Sequence, residues 1–169
     1  VIGGYDLLNE PARWGIADIL RSIYERTIDS IRTVDENHIV IIEGNWYGND
    51  HTGLFPPFDD NMIYSFHHYV GGSTDTTTMY RQYRTDISVE YDVPLWVGEF
   101  GENSNYWGHN IKNFFERNNI GWSWWNFKSV ERISSLFSYD ITDEYQILID
   151  YWQGNGAKPD TVTAYNGLM

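Results

Sequence analysis

Five short apolar runs punctuate the chain, Val1 to Leu8, His38 to Ile42, Met62 to Phe66, Pro94 to Val97 and Ile120 to Trp125. Runs of this length, rich in β-branched and aromatic residues, read as buried strands. Between the first two, Ile16, Leu20, Ile23, Thr27, Ile31 and Val34 recur every three or four residues, which predicts a helix with one mostly apolar stripe and with Arg21, Glu25, Arg26 and Asp29 in water. The same spacing joins Tyr80, Tyr83, Ile87 and Tyr91, and shorter helical patterns surround Ile111 to Phe115 and Ile141 to Trp152. Every strand except the second has a following helix; after the second, Gly44 to Asn61 reads as a long loop. Strands recur roughly every 30 residues, the size of one strand-plus-helix unit.

Fully apolar strands alternating with helices imply an α/β fold, a parallel sheet covered by its helices. Five such units are too few to close an eight-stranded barrel, which usually takes about 250 residues. The pattern therefore leaves two architectures, an open sheet or part of a barrel. A length of 169 residues fits a single domain over 1–169, with 154–169 as a polar, irregular tail. The first residue is valine, and strand character starts with it, so the chain reads as a piece of something longer.

Charge and composition narrow the chemistry. Twenty-four acidic against eleven basic side chains leave a formal charge of −13, the wrong sign for gripping phosphates, so nucleic acid is excluded as an expected partner. No apolar run approaches the roughly 20 residues that would cross a bilayer, so no membrane partner is expected. The absence of cysteine removes disulfides, thiolate catalysis and cysteine-ligated zinc. Aromatic residues reach 17%, and flat rings are the natural platform for the apolar faces of sugars.

In parallel α/β folds the working residues gather at the carboxyl ends of the strands. Here those ends read Asn9-Glu10-Pro11, Glu43-Gly44-Asn45-Trp46-Tyr47, His67-His68-Tyr69, Glu99-Phe100-Gly101 and Trp125-Asn126-Phe127-Lys128. A carboxylate delivered at the tip of an apolar strand is costly unless it meets solvent, a partner or a substrate. Glu10 and Glu99 both sit so, and two carboxylates facing one cleft are the minimum apparatus for glycoside hydrolysis.

The blocks GGYDLLNEP, SFHHY, PLWVGEFG and GWSWWNFK, in this order and at these separations, resemble the carboxyl-terminal half of a family 5 glycoside hydrolase, the cellulase family of the retaining (β/α)8 clan. That resemblance, over Val1 to Trp152, implies a partial TIM barrel of about five βα units equivalent to strands 4 to 8. It implies Glu10 as the acid/base and Glu99 as the nucleophile. It also implies Asn9 holding the sugar 2-hydroxyl, His67 and Tyr69 as the family's His-x-Tyr pair with the tyrosine hydroxyl beside the nucleophile, and Trp125 flooring the cleft. Retaining chemistry calls for carboxyl groups about 5 to 5.5 Å apart. The implied activity is hydrolysis of a β-linked polysaccharide, foremost an endo-β-1,4-glucanase, without a cofactor and in a secreted, extracellular setting whose signal peptide is not in this chain. Mannanase, β-1,3-glucanase and xyloglucanase activities belong to the same family. An inactive sugar-binding half-barrel and a non-glycosidase α/β enzyme are the readings from other classes.

Against the family pattern, nothing corresponds to strands 1 to 3, which supply an arginine near the nucleophile and a histidine near the subsite. The amino-terminal half of the barrel, or a second copy of the chain, is thus an expected partner. His67 and His68 invite a metal pair, but adjacent strand residues point to opposite faces and no zinc spacing supports one, so no metal site is expected. Asp50, Asp59 and Asp60 lack an EF-hand pattern and read as a solvated loop. Strand alternation sends Trp122 and Trp124 to one side and Trp125 to the other. Trp46, with Tyr47 and Trp107, is a candidate additional sugar platform, and Glu43 and Glu102 are reserve carboxylates.

Overall fold

The computed structural model describes residues 2–69, 80–130 and 135–168. The chain divides into two compact units, residues 1–125 and 126–169. In the first, β1 (Gly4–Asp6), α1 (Ala17–Arg32), β2 (Ile39–Glu43), the one-turn α2 (Asn45–Gly48), β3 (Met62–His68), α3 (Tyr80–Val89), β4 (Leu95–Gly101), α4 (Asn105–Arg117) and β5 (Gly121–Trp125) follow in order. Sequential strands are neighbours in one sheet, and every pairing is parallel. This is a partial (β/α)8 barrel with five consecutive strands. All five predicted strands are present. The side chains of Tyr80 and Tyr83, and Val1, lie outside the described residues.

Alternation along the strands builds two faces. Val40, Ile42, Tyr64, Phe66, Val97 and Phe100 are buried together with Leu20, Tyr24 and Ile28 of α1 and Ile111 and Phe115 of α4. The loss of this much apolar surface to water is the main force holding helices on the sheet. The opposite, barrel-interior face carries Asp6, Glu43, Ser65, His67, Gly98 and Glu99. Register shifts at Phe66/His67 and between Val97 and Phe100 interrupt the ladders on β3 and β4, and such bulges re-aim the side chains beside them. The predicted long loop after β2 contains α2, and Asp59 within it pairs with Arg32 through two contacts of 2.8 Å, which fastens the end of α1 to the entry of β3.

The second unit holds β6 (Lys128–Val130), paired in parallel with β7 (Phe137–Tyr139), then α5 (Asp143–Trp152) and α6 (Thr161–Leu168). The tail expected to be irregular therefore ends in a helix. Asp160 explains its start, since its carboxylate accepts the backbone N–H groups of Val162 and Thr163, both at 2.9 Å.

Candidate active site

The site is built where β1 to β4 end. Beyond β1 the backbone of Glu10 turns into the left-handed region at φ 47°, a conformation that costs a side-chain-bearing residue about 1–3 kcal/mol. Its N–H is tied down, donating to Glu43 Oε2 at 2.8 Å. Glu43 ends β2 fully buried, and the Tyr24 hydroxyl of α1 donates to its backbone carbonyl at 2.9 Å. His67, also buried, projects from β3 between the carboxylates: its Nδ1 lies 2.7 Å from Glu10 Oε1 and 3.5 Å from Glu99 Oε2, and its Nε2 lies 3.3 Å from Glu43 Oε1. Tyr69, just past β3, donates its hydroxyl to Glu99 Oε2 at 2.7 Å.

Three carboxylates, Glu10, Glu43 and Glu99, thus meet one imidazole, and Asp6 is near enough to feel its charge. Burial alone would discharge the His67 ring, but pairing with Glu43 and Glu10 and the nearby charge of Glu99 outweigh it and raise its pKa to about 9. Asp6, partly open to solvent on β1, is pushed up to about 6 by desolvation first and by the charge of Glu43 next. Desolvation, followed by the bond to Glu99, raises the Tyr69 pKa well above its ordinary value and keeps the phenol a proton donor to that carboxylate. His67 hydrogen-bonds Glu10 through Nδ1 and faces Glu43 Oε1 through Nε2 in a longer charge contact, so carboxylates stand at both ring nitrogens.

One carboxylate oxygen of Glu10, one of Glu99 and a ring nitrogen of His67 lie within 4.8 Å of one another. The two glutamates, carried by different strand ends, thus reach one common gap. Glu10, His67 and Tyr69, with Tyr47, Asn49 and His68, line an open cavity of about 390 Å³.

The other predicted residues fall around this centre. Asn9 is exposed next to Glu10, Trp125 ends β5 half-exposed, and Glu102 is exposed beyond β4. Trp122 and Trp124 turn the opposite way from Trp125 and meet Phe100 edge-on. Trp46 packs edge-on against Trp14, with ring centroids 4.8 Å apart, and Trp14 is 85% exposed. Buried Asn45 clamps the pair, accepting from Arg13 N–H at 3.0 Å and donating to the Arg13 carbonyl at 2.9 Å. Left-handed backbone at both Trp46 and Tyr47 turns their rings outward. Trp14 escaped the sequence reading because it lies in a polar segment with no periodicity around it.

Trp107 needs correction: it is buried on α4, not a platform, and its ring stacks on His68 at 5.7 Å between centroids. His68 accordingly faces away from His67, and burial lowers its pKa to about 4.

Gly98 shows how tightly the interior face closes. A Cβ there would stand 2.8 Å from Ser65 Oγ and 3.0 Å from His67 Nε2. Gly98→Ala is expected to lose about 1–3 kcal/mol of stability through this overpacking. Urea midpoints compared with the parent chain check it; an unchanged midpoint would mean that His67 yields freely and is not held in place.

Residues 3–131 match the family model described as "Cellulase (glycosyl hydrolase family 5)". Among solved structures, the Clostridial cellulose synthase subunit Z from Clostridioides difficile is similar with a TM-score of 0.65 at 18% identity, over 83% of this chain and 56% of that one. Endoglucanase Cel5A from Thermotoga maritima follows with a TM-score of 0.61 at 19% identity, over 83% and 54%. A β-glucanase from Saccharophagus degradans, solved in complex with cellotetraose, gives 0.57 at 16%, over 75% and 45%. The chain thus spans about half the length of these proteins. No curated protein sequence matches it.

Proposed function

The chain belongs to glycosyl hydrolase family 5, the cellulases, and from that premise we propose that it carries the catalytic half of a retaining β-glycan hydrolase. The observation that supports this most is the pairing of Glu10 and Glu99 across one small gap, each with its own attendant: His67 on Glu10 and Tyr69 on Glu99.

In the first step the Glu99 carboxylate attacks the anomeric carbon from below while the bond to the departing glycosyl oxygen breaks and Glu10 gives that oxygen its proton. In the second, Glu10 takes a proton from water, the water oxygen attacks the same carbon, and the ester to Glu99 is released. Asn9 binds the sugar 2-hydroxyl and Trp125 supports the ring being cleaved. On the leaving-group side, beside Glu10, the Trp14–Trp46 pair presents fixed aromatic surface at little entropic cost.

The substrate in this reading is a β-linked glucan, foremost β-1,4-glucan cut internally, in an extracellular setting. The names of the similar structures, a cellulose synthase subunit, an endoglucanase and a β-glucanase, point the same way. Among the described residues no helix is long and apolar enough to cross a membrane. The amino-terminal half of the barrel is the partner that completes the cleft.

An activated 2-deoxy-2-fluoro-cellobioside tests the reading. Its fluorine slows both steps and its good leaving group restores only the first, so a retaining enzyme accumulates the glycosyl ester. Intact mass should rise by one fluorocellobiosyl group, and peptide mapping should place it on Glu99. Binding of cellooligosaccharides without labelling would instead favour a sugar-binding half-barrel.

A further inference from the structure

Building on the reading above, we propose that Glu43 is a positioning residue that holds Glu10 in its working place from two directions at once. One carboxylate does both jobs. Its Oε2 accepts the backbone N–H of Glu10 at 2.8 Å, and its Oε1 lies 3.3 Å from His67 Nε2, whose other nitrogen grips the Glu10 side chain at 2.7 Å. Glu43 thus holds the backbone of Glu10 by a hydrogen bond and faces, through a charge contact, the ring that holds its side chain.

Three observations argue that this arrangement does more than fill space. Glu43 is completely buried, where a carboxylate is tolerated only when paired. Glu10 holds a strained φ of 47°, and the bond from its N–H to Glu43 is the contact that fixes that residue's backbone. Glu43 is itself anchored, because the Tyr24 hydroxyl donates to its backbone carbonyl. Without Glu43, His67 would still reach Glu10, but it would share its charge between Glu10 and Glu99 with no carboxylate facing Nε2 to set the ring.

The test compares Glu43→Gln with the parent chain on two cellobiosides, one with a poor phenolic leaving group and one with 2,4-dinitrophenolate. The amide can still accept from Glu10 N–H but presents no charge to His67. In the first step, which kcat/KM reports, a misplaced acid is felt only where the leaving group needs its proton. The kcat/KM on the poor leaving group is therefore expected to fall about 10- to 100-fold, while that on the dinitrophenyl substrate stays within about threefold. Thermal unfolding of the variant confirms that it is folded.

Nitrogen chemical shifts of the His67 ring provide a readout independent of turnover. Both nitrogens should carry protons in the parent at neutral pH, and Glu43→Gln should move them toward the neutral imidazole pattern. Equal losses on the two substrates, no loss at all, or unmoved His67 shifts would overturn the assignment. Should the parent show neither labelling nor turnover even when joined to the amino-terminal half of the barrel, the hydrolase reading fails, and the His67 shifts alone then decide whether Glu43 governs this ring.

Discussion

Glu99→Ala should lower turnover of β-1,4-glucan by at least about 10⁴-fold, the scale of loss seen when a nucleophile is deleted from an otherwise intact site. Binding should survive, because Trp125, Asn9 and the Trp14–Trp46 pair do not depend on Glu99. Azide offers a further diagnostic. Seated in the vacated space, it attacks the anomeric carbon directly, so turnover of a dinitrophenyl glycoside should recover with a glycosyl azide of inverted configuration as product. Stability should not suffer: Glu99 lies among Asp6, Glu10 and Glu43, with His67 the one cation facing them among the described residues, so its removal relieves repulsion. A thermal midpoint equal to or above the parent's is expected, the pattern of a group retained for chemistry at the expense of stability. Retained hydrolysis by the alanine variant would remove Glu99 from the nucleophile's role.

Folding stability should fall as pH rises from about 6.5 to 9. His67 has a pKa near 9 in the folded chain, against about 6.5 when unfolded. Across that window the folded state keeps a proton the unfolded state has released, so the slope of stability with pH is negative. The contribution is fully present below pH 6.5 and lost once the folded pKa is passed, and its size is about 3 kcal/mol. Asp6 acts with the same sign at lower pH, because its raised carboxyl also holds a proton longer in the folded state. Urea midpoints taken from pH 6 to 10 measure the effect, and His67→Asn should flatten the profile over the same range. A parent midpoint that is level or climbs between pH 6.5 and 9 would show that the ring is not held as an imidazolium.

The strands were legible because their helix-facing positions, such as Val40, Ile42, Tyr64 and Phe66, belong to unbroken apolar runs. Their ends were less so. β3 runs on to His68 and β4 to Gly101, past the polar His67, Gly98 and Glu99, because the interior face of a barrel end serves the site and not the core. Glu10, His67, Tyr69 and Glu99 are expected from strand ends and family resemblance together, and the structure brings their side chains into one place. Glu43 was marked only as a spare acid, since its link to Glu10 spans 33 residues and no spacing rule reports it. Trp107 shows the opposite error. With Ile111 and Phe115 it forms an i, i+4, i+8 stripe, a pattern of burial present in the sequence but passed over in favour of its place after a strand. The final helix was missed for the same kind of reason, because a cap at Asp160 is a weaker signal than an apolar stripe.

The crowding of acids on the interior face also sorts ligands by charge. Asp6, Glu10 and Glu99 offer oxygens that accept hydrogen bonds, with the buried charge of Glu43 behind them, so the hydroxyl donors of a neutral polyol suit this face. A polyuronate would bring its own anions against this wall, each repelled by about 4 kcal/mol at 4 Å in partly screened surroundings. Backbones of pectin or alginate type are therefore expected to bind this face more weakly than a neutral glucan does. Such a preference would be a by-product of the same carboxylates that crowd around His67.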